Sequence, residues 1–316
     1  MPETMMMDRL QLGLYLPTWD DVRDRMKPWV ELRTVAQLAE EAGWDTLWVP
    51  DHFVPRMPDG TIQRFWECWT TLGALAEATS RIALGPLLTP TAFRHPALLA
   101  RMAATLDEIS GRRLLLGLGA GAEREHGFAL LRLPLEQRGS MFAEALQVLV
   151  PLLREGHVDF AGRYYTVRDY SLELPRRHRG PPIWIGGKGP RMINLAAQWG
   201  DAFNLNRALT APDDAAEPLA QLNTACGAVG RDPETISRTG YVAIALSSSG
   251  SQTALRGSAE EIASRLHAIH QAGICHLTCF LDTGDPSDPP DSLPLVTPQA
   301  IERFAPVVDA LRRLER

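Results

Sequence analysis

The sequence predicts an α/β fold, a (β/α)8 TIM barrel with a hairpin and loops inserted at its mouth. Three observations carry this: eight strand-length apolar runs, helical spacing in the segments between them, and turn residues at the junctions. The runs occupy residues 10–16, 46–49, 82–88, 113–118, 183–185, 202–205, 241–246 and 275–281. Continuous apolar runs belong to strands covered on both faces, as in a parallel sheet wrapped by helices. After the first run, Val30, Val35, Leu38, Ala39 and Ala42 recur at helical spacing before a stop at Gly43. Leu98, Met102, Thr105, Leu106 and Ile109 do the same before Gly111. Ser258 with Glu261 forms a capping box that opens a helix running toward His270 and ending at Gly273. Eight such alternations close into a barrel, with an open doubly wound sheet as the alternative.

Two departures from this rhythm lie where a barrel mouth is shaped. Residues 158–160 and 164–167, joined through Ala161, Gly162 and Arg163, read as a hairpin inserted after a long helix over 135–154. The Ser/Gly-rich stretch 247–257 and the proline-rich stretch 282–294 read as loops following the seventh and eighth strands. With 316 residues, 45% hydrophobic and 22% charged, the chain accommodates one barrel over 1–316, since about 250 residues fold as one such unit. No linker divides it.

The net charge of −6 disfavours a nucleic-acid or anionic-membrane partner. The basic cluster Arg176, Arg177, His178 and Arg179 reads as solvated surface. Residues 1–8 lack the pattern of a secretion signal, and no apolar stretch reaches the ~18 residues of a membrane span. Cys68, Cys226, Cys275 and Cys279 show no CxxC spacing, which points to small core residues and a reducing cytoplasm. On a strand, Cys275 and Cys279 share a face but stand about 13 Å apart, too far for a disulfide.

The second run ends Trp48-Val49-Pro50-Asp51-His52-Phe53, delivering an acid and an imidazole where a buried strand stops. In parallel barrels the residues just past the strand ends carry the chemistry, although Asp also starts ordinary turns. The fourth run carries Gly117, Gly119 and Gly121 at alternate positions, which admits close approach of something flat or phosphorylated, or simply a tight turn. Ile183-Trp184-Ile185-Gly186-Gly187-Lys188-Gly189-Pro190-Arg191 places a strand, a glycine turn and a helix start in sequence. Free amides at that helix start, with Lys188 or Arg191 beside them, suit a phosphate. Glu123 and Glu125 supply an acid near the same mouth, or favourable charge at a helix start. No HxH, HExxH or GxSxG pattern appears, which disfavours a metallohydrolase and a serine hydrolase. Trp19, Trp66, Trp69, Phe53 and Phe65 line an apolar pocket or fill the core.

Taken together, the runs EEAGWDTLWVPDHF at 40–53, LGPLLTP at 84–90, RHP at 94–96, TLD at 105–107, SGRR at 110–113 and IGG at 185–187 resemble the bacterial luciferase-like superfamily of flavin and deazaflavin oxidoreductases. The resemblance covers residues from about 10 to 206 and continues weakly beyond. The Asp-His pair is similar to the branch that uses coenzyme F420, a 5-deazaflavin, more than to the branch that uses flavin mononucleotide (FMN). The resemblance implies a barrel, often a homodimer, that holds the cofactor ring in its mouth. It implies that Asp51 and His52 meet the ring and the substrate, with His52 as proton donor or acceptor oriented by Asp51. It further implies that Gly119, Ala120 and Gly121 flank the cofactor and that Gly186, Gly187, Lys188, Gly189 and Pro190 bind its phosphate-bearing tail. Leu87, Leu88 and Thr89 match a stretch that backs the ring through a non-proline cis peptide. Glu123 is the further candidate acid.

Sugar-phosphate dehydrogenases of this branch carry Trp shortly after the Asp-His pair and Glu directly after the glycine loop. This chain has Arg56 and Ala122 there, which argues against glucose 6-phosphate. The expected reaction is hydride transfer between the deazaflavin and a small organic substrate. An FMN-dependent monooxygenase, a non-catalytic cofactor-binding barrel and a metal-dependent hydrolase are the alternatives.

Overall fold

The computed structural model describes residues 9–16, 18–19, 26–53, 60, 64–123, 125–172, 180–245, 254–282 and 296–316. Arg56, the basic cluster at 176–179, residues 1–8 and most of both predicted mouth loops lie outside the described residues. All eight apolar runs form strands of one parallel sheet. In chain order the strands are β1 (Gln11–Tyr15), β2 (Thr46–Val49), β3 (Ala83–Pro86), β4 (Thr89–Pro90), β5 (Leu116–Gly119), β6 (His157–Ala161), β7 (Thr166–Ser171), β8 (Ile183–Gly186), β9 (Ala202–Ala208), β10 (Ser237–Ala245) and β11 (His276–Asp282). The helices are α1 (Trp29–Glu41), α2 (Cys68–Ala78), α3 (Pro96–Ile109), α4 (Gly127–Leu130), α5 (Arg138–Arg154), α6 (Pro190–Trp199), α7 (Ala216–Ala228), α8 (Ala259–Gln271) and α9 (Pro298–Leu314). None of them is long and apolar enough to cross a membrane.

The sheet runs β3-β2-β1-β11-β10-β9-β8-β5-β4, and β6 with β7 makes the antiparallel hairpin after α5. Leu84 pairs in parallel with Leu114 through Leu84 N to Arg113 O and Leu115 N to Leu84 O, both 2.9 Å. This bridge joins β3 to the entry of β5 and completes the ring. At the amino ends of the strands, Asp45 accepts from Arg9 and from Arg312 of α9, each at 2.6 Å, and from Leu12 N at 2.8 Å. The last helix is thereby tied to the first two strands.

Three expectations are corrected. The third run is split, because β3 stops at Pro86, Leu87 and Leu88 are joined by a cis peptide, and β4 resumes at Thr89. β10 begins at Ser237 rather than residue 241, since Ser237, Arg238 and Thr239 pair with Ala202, Phe203 and Asn204 although they are not apolar. Val30, Leu98 and Ile109 were expected among the apolar helix positions, yet they are about half exposed. The buried face of α3 is Pro96, Leu99, Ala100, Ala103 and Leu106, so of the expected positions Leu106 is buried and Met102 packs on the core, while Leu98 and Ile109 fall on the outer face. The capping box is present, with Glu261 N donating to Ser258 Oγ at 3.2 Å and Ser258 N to Glu261 Oε2 at 2.8 Å. All four cysteines are free and buried.

Alternate strand residues fill the barrel. Trp48 on β2 and Trp184 on β8 lie 4.8 Å apart between ring centroids, and His276 on β11 packs edge-on against both. Glycines on neighbouring strands make the room: a Cβ on Gly13 would sit 2.4 Å from Trp48 Nε1, and one on Gly85 would sit 2.8 Å from Trp48 Cζ3 and 2.0 Å from Leu115 O. Gly85→Ala should therefore cost about 1–3 kcal/mol or more through overpacking against backbone that cannot retreat. Gly73→Ala, in α2 with nothing within 4 Å of the added carbon, should stabilise by up to ~1 kcal/mol. Urea unfolding of the two variants checks both signs.

Burial pushes the His276 imidazole down to about 3 from its ordinary 6.5. The unfolded chain thus binds a proton near pH 6.5 that the folded chain refuses until about pH 3, so unfolding is favoured as pH falls through that window. The expected slope from this group is about 1.4 kcal/mol per pH unit. His276→Phe should flatten the pH dependence of the urea midpoint between pH 6 and 4; an unchanged slope would exclude His276 as its source.

Candidate active site

Pro50 ends β2 at the barrel mouth, and Asp51 and His52 follow it with different surroundings. The Asp51 carboxylate is buried and accepts from Thr89 Oγ1 at 2.8 Å, Trp69 Nε1 at 3.3 Å, Arg94 Nη1 at 2.7 Å and Arg94 Nη2 at 3.1 Å. Burial pushes the Asp51 carboxyl up, while the Arg94 guanidinium and the Thr89 hydroxyl pull it back. Burial alone would lower Arg94, but the Asp51 charge overrides it and holds the guanidinium raised. Arg94 also donates to Glu67 at 2.8 Å, and Glu67 caps α2 by accepting from Thr70 N at 2.6 Å. One buried ion pair therefore fastens the ends of β2 and β4 to the start of α2.

His52 turns the other way. Its Nδ1 lies 2.9 Å from Glu125 Oε2, its ring centroid is 5.1 Å from that of Phe65, and 39% of its side chain remains exposed. Glu125 is buried. The contact to His52 expected of Asp51 is made by Glu125, and the Asp51 oxygens are occupied by Thr89, Trp69 and Arg94.

Glu123 does not join them. Its side chain is 78% exposed and pairs with Arg138 at 3.0 Å. A turn closed by Glu125 N to Ala122 O separates the two glutamates, so that Glu123 stands in a surface ion pair and Glu125 lies beside His52. Both were visible in the sequence; what separates them is one turn of backbone that spacing does not record. Arg94 stood in the RHP run at 94–96 without a site role, and the need of a buried Asp for a countercharge is the signal that finds it.

The glycines beside the mouth are spoken for in part. A Cβ on Gly117 would meet Pro86 O at 2.1 Å and Leu88 at 3.0 Å, one on Gly186 would meet Leu88 Cδ1 at 2.4 Å, and one on Gly121 would meet Phe128 at 2.7 Å. Gly119 stands 3.4 Å from Leu88 by the same construction. These positions admit the chain's own Leu88 and Phe128, so the close approach expected of a ligand is made first by protein. The result is a half of the mouth, on β5 and β8, where Leu88 packs against glycines. Leu87 packs on the tryptophan cluster below, Thr89 is fully buried against Asp51, and Ala120 packs on the main core.

From β8 the chain passes through Gly186, Gly187, Lys188 and Gly189 into α6, in the predicted order. Gly189 is the N-cap at φ 86° and offers no side chain to the helix amides, and Cβ-sized space there is open for 4 Å. Lys188 and Arg191 are exposed beside it, Arg191 reaching Ser140 Oγ at 3.1 Å. A flat apolar platform at Leu88 and an uncapped, lysine-flanked helix start fit a planar ring carrying a phosphorylated tail.

The sequence matches the family model described as luciferase-like monooxygenase over residues 10–252. The chain belongs to that family. Among luciferase-like relatives, the F420-dependent glucose-6-phosphate dehydrogenase of Amycolatopsis mediterranei (strain U-32) is 32% identical over 176 residues, 55% of this chain and 52% of that protein. The phthiodiolone/phenolphthiodiolone dimycocerosates ketoreductase of Mycobacterium tuberculosis (strain ATCC 25618 / H37Rv) is 30% identical over 234 residues, 68% of this chain and 61% of that protein. The chain thus spans about half to three-fifths of the length of these curated relatives. An F420-dependent secondary alcohol dehydrogenase solved with an F420-acetone adduct superposes with a TM-score of 0.76 at 20% identity, covering 96% of this chain and 99% of that one. The likeness at that identity establishes the barrel.

Arg94→Met should destabilise this luciferase-like barrel by about 3–5 kcal/mol, because it strands a buried carboxylate. In the Asp51→Asn background the same substitution should cost markedly less. Equal costs in a double-mutant cycle of urea unfolding would show that the two side chains are not coupled.

Proposed function

We propose that this chain is a coenzyme F420-dependent oxidoreductase that transfers hydride between the deazaflavin C5 and a small organic substrate. The observation that carries the reading is the His52–Glu125 pair at the exit of β2, facing a mouth whose β5–β8 half is a bare platform leading to an uncapped helix start. The names of the relatives support the choice of cofactor, two of those reported above being F420-dependent. When bound, the deazaflavin supplies a two-electron hydride donor or acceptor. Leu87, Leu88 and Thr89 would back its ring, Gly119, Ala120 and Gly121 would flank it, and Gly186, Gly187, Lys188, Gly189 and Pro190 would hold its tail. Asp51 would hold β2 and β4 in register beneath it.

His52 moves the proton. With Nδ1–H donating to the buried Glu125 carboxylate, the imidazole is fixed in the tautomer that leaves Nε2 to give or take a proton at the substrate oxygen. Glu125 positions and does not react. Glucose 6-phosphate is set aside as substrate, because Ala122 occupies the place of the sugar-phosphate branch's Glu and the nearest glutamate, Glu123, is bound to Arg138 on the surface. Leu98 and Ile109 are half-exposed on the outer face of α3, which supports a homodimer as the working form. The four free cysteines support a reducing cytoplasm as its location.

His52→Ala should lower turnover by about 10²- to 10⁴-fold while leaving cofactor affinity unchanged. Unaltered turnover would remove the proton role. Titration of the purified chain with oxidised F420 and with FMN, followed by absorbance and intrinsic fluorescence, should show tighter binding of F420. Tighter FMN with substrate-dependent oxygen uptake would instead make the chain a monooxygenase, and F420 binding without turnover of any substrate would make it a carrier.

A further inference from the structure

The upper layer of the mouth divides in two. On β5 and β8 it is glycine and Leu88. On β1, β11 and β10 it is aromatic: Tyr15 lies 4.4 Å from Phe280 between ring centroids, and Phe280 lies 5.5 Å from Tyr241. The band continues through Trp19, 5.8 Å from Tyr15, to Phe65, 5.8 Å from Trp19, and Phe65 ends it 5.1 Å from the His52 ring. Tyr15 and Trp19 are buried behind the band, whereas Phe65, Tyr241 and Phe280 are only half buried and present ring surface to the mouth. Strand geometry explains the direction. On β11, His276, Thr278 and Phe280 alternate inward above the tryptophan floor, and on β1 Gly13 and Tyr15 do the same. Among the described residues near this end, Arg94 is engaged by Asp51 and Glu67 and Glu123 by Arg138, while Arg207 near the end of β9 is an exposed cation.

We propose that this band is the substrate half of the site and that it takes an uncharged aryl ketone, or the corresponding secondary alcohol, with its ring on Phe65, Phe280 and Tyr241 and its oxygen at His52. The proposal rests on the reading of the chain as a deazaflavin oxidoreductase. A charged group laid on these rings loses hydration, whereas an aromatic ring gains area and edge-to-face contact. In the reductive direction the hydride of the reduced deazaflavin forms a C–H bond at the carbonyl carbon, and the C=O π pair moves to oxygen. The oxygen takes the proton of His52, and the alcohol leaves with the cofactor oxidised by two electrons. Solvent returns the proton to His52. In the opposite direction the alcohol gives its proton to His52 and its hydride to the oxidised cofactor.

The test uses the full chain with acetone, acetophenone and glucose 6-phosphate as probes. With reduced F420, acetophenone should show a KM about five- to tenfold below that of acetone, the worth of one aromatic contact. Phe280→Leu should remove that advantage while leaving the acetone KM and the F420 Kd within about twofold. Tyr241→Leu serves as the second variant, and thermal melting establishes that each is folded. Lowest KM for glucose 6-phosphate, raised by Arg207→Ala and not by Phe280→Leu, would overturn the proposal. So would a Phe280→Leu effect on F420 as large as that on the ketone, which would seat the cofactor on the band. Calorimetric titration of acetophenone into the chain separates the two readings. If F420 fails to bind the wild type, the oxidoreductase reading fails, while saturable acetophenone binding lost in Phe280→Leu still supports the band. No acetophenone binding to an F420-loaded wild type overturns the band alone.

Discussion

The arrangement depends on two indoles occupying the middle of an eight-position barrel. Trp48 and Trp184 with His276 fill the interior because the strands beside them carry Gly13 and Gly85, where any Cβ would collide. Dense filling at this level makes the interior a packed core rather than a pore, so the strand ends above it rest on the rings below. The same economy of side chains acts one layer higher, where Gly117, Gly119 and Gly186 admit Leu88 from the broken third strand. A barrel with alanines at these positions would need either a smaller floor or a wider ring, and both would move the ends of β2, β5 and β8 that carry the site.

On that floor two buried carboxylates are kept apart by assigning each a separate partner. Asp51 is matched to Arg94, which has no second protonation state near neutral pH, and so becomes a tether with fixed charge. Glu125 is matched to His52, whose ring nitrogens can each donate or accept a hydrogen bond. Adjacent residues in the chain are therefore placed for different duties in the proposed reaction, Asp51 to hold geometry and His52 to move the proton. Had Asp51 been left to orient His52, it would have lacked oxygens for Thr89, Trp69 and the bidentate guanidinium, and the link between β2, β4 and α2 would have been lost.

The eight strands were legible because covered parallel strands are written as uninterrupted apolar runs, and each run did become a strand. What was not legible has a common physical cause. Strand pairing extends through polar residues such as Ser237 and Arg238 when a partner strand is in register, and a single turn at Ala122 decides which of Glu123 and Glu125 faces inward. The glycines illustrate the same limit. Their spacing correctly marked close approach, but it did not say whether ligand or Leu88 would approach. Asp51 and His52 were legible as a pair at a strand end, whereas their separate partners, Arg94 and Glu125, come from turns after β4 and β5 that only the folded chain brings to them.

The frame and the aromatic band also differ in where they sit along the chain. The family match ends at residue 252, so it includes Asp51, His52, Leu88, Gly119, Glu125, Gly186 and Gly189 but not β11. Phe280, which joins Tyr15 to Tyr241, lies beyond it. The match nevertheless spans Tyr15, Trp19, Phe65 and Tyr241 of the band as well as the frame, so what it leaves out is the single ring that joins the band across the last strand. The band is therefore closed by a strand that pairs with both β1 and β10, and its continuity depends on register at that strand rather than on any local run of sequence.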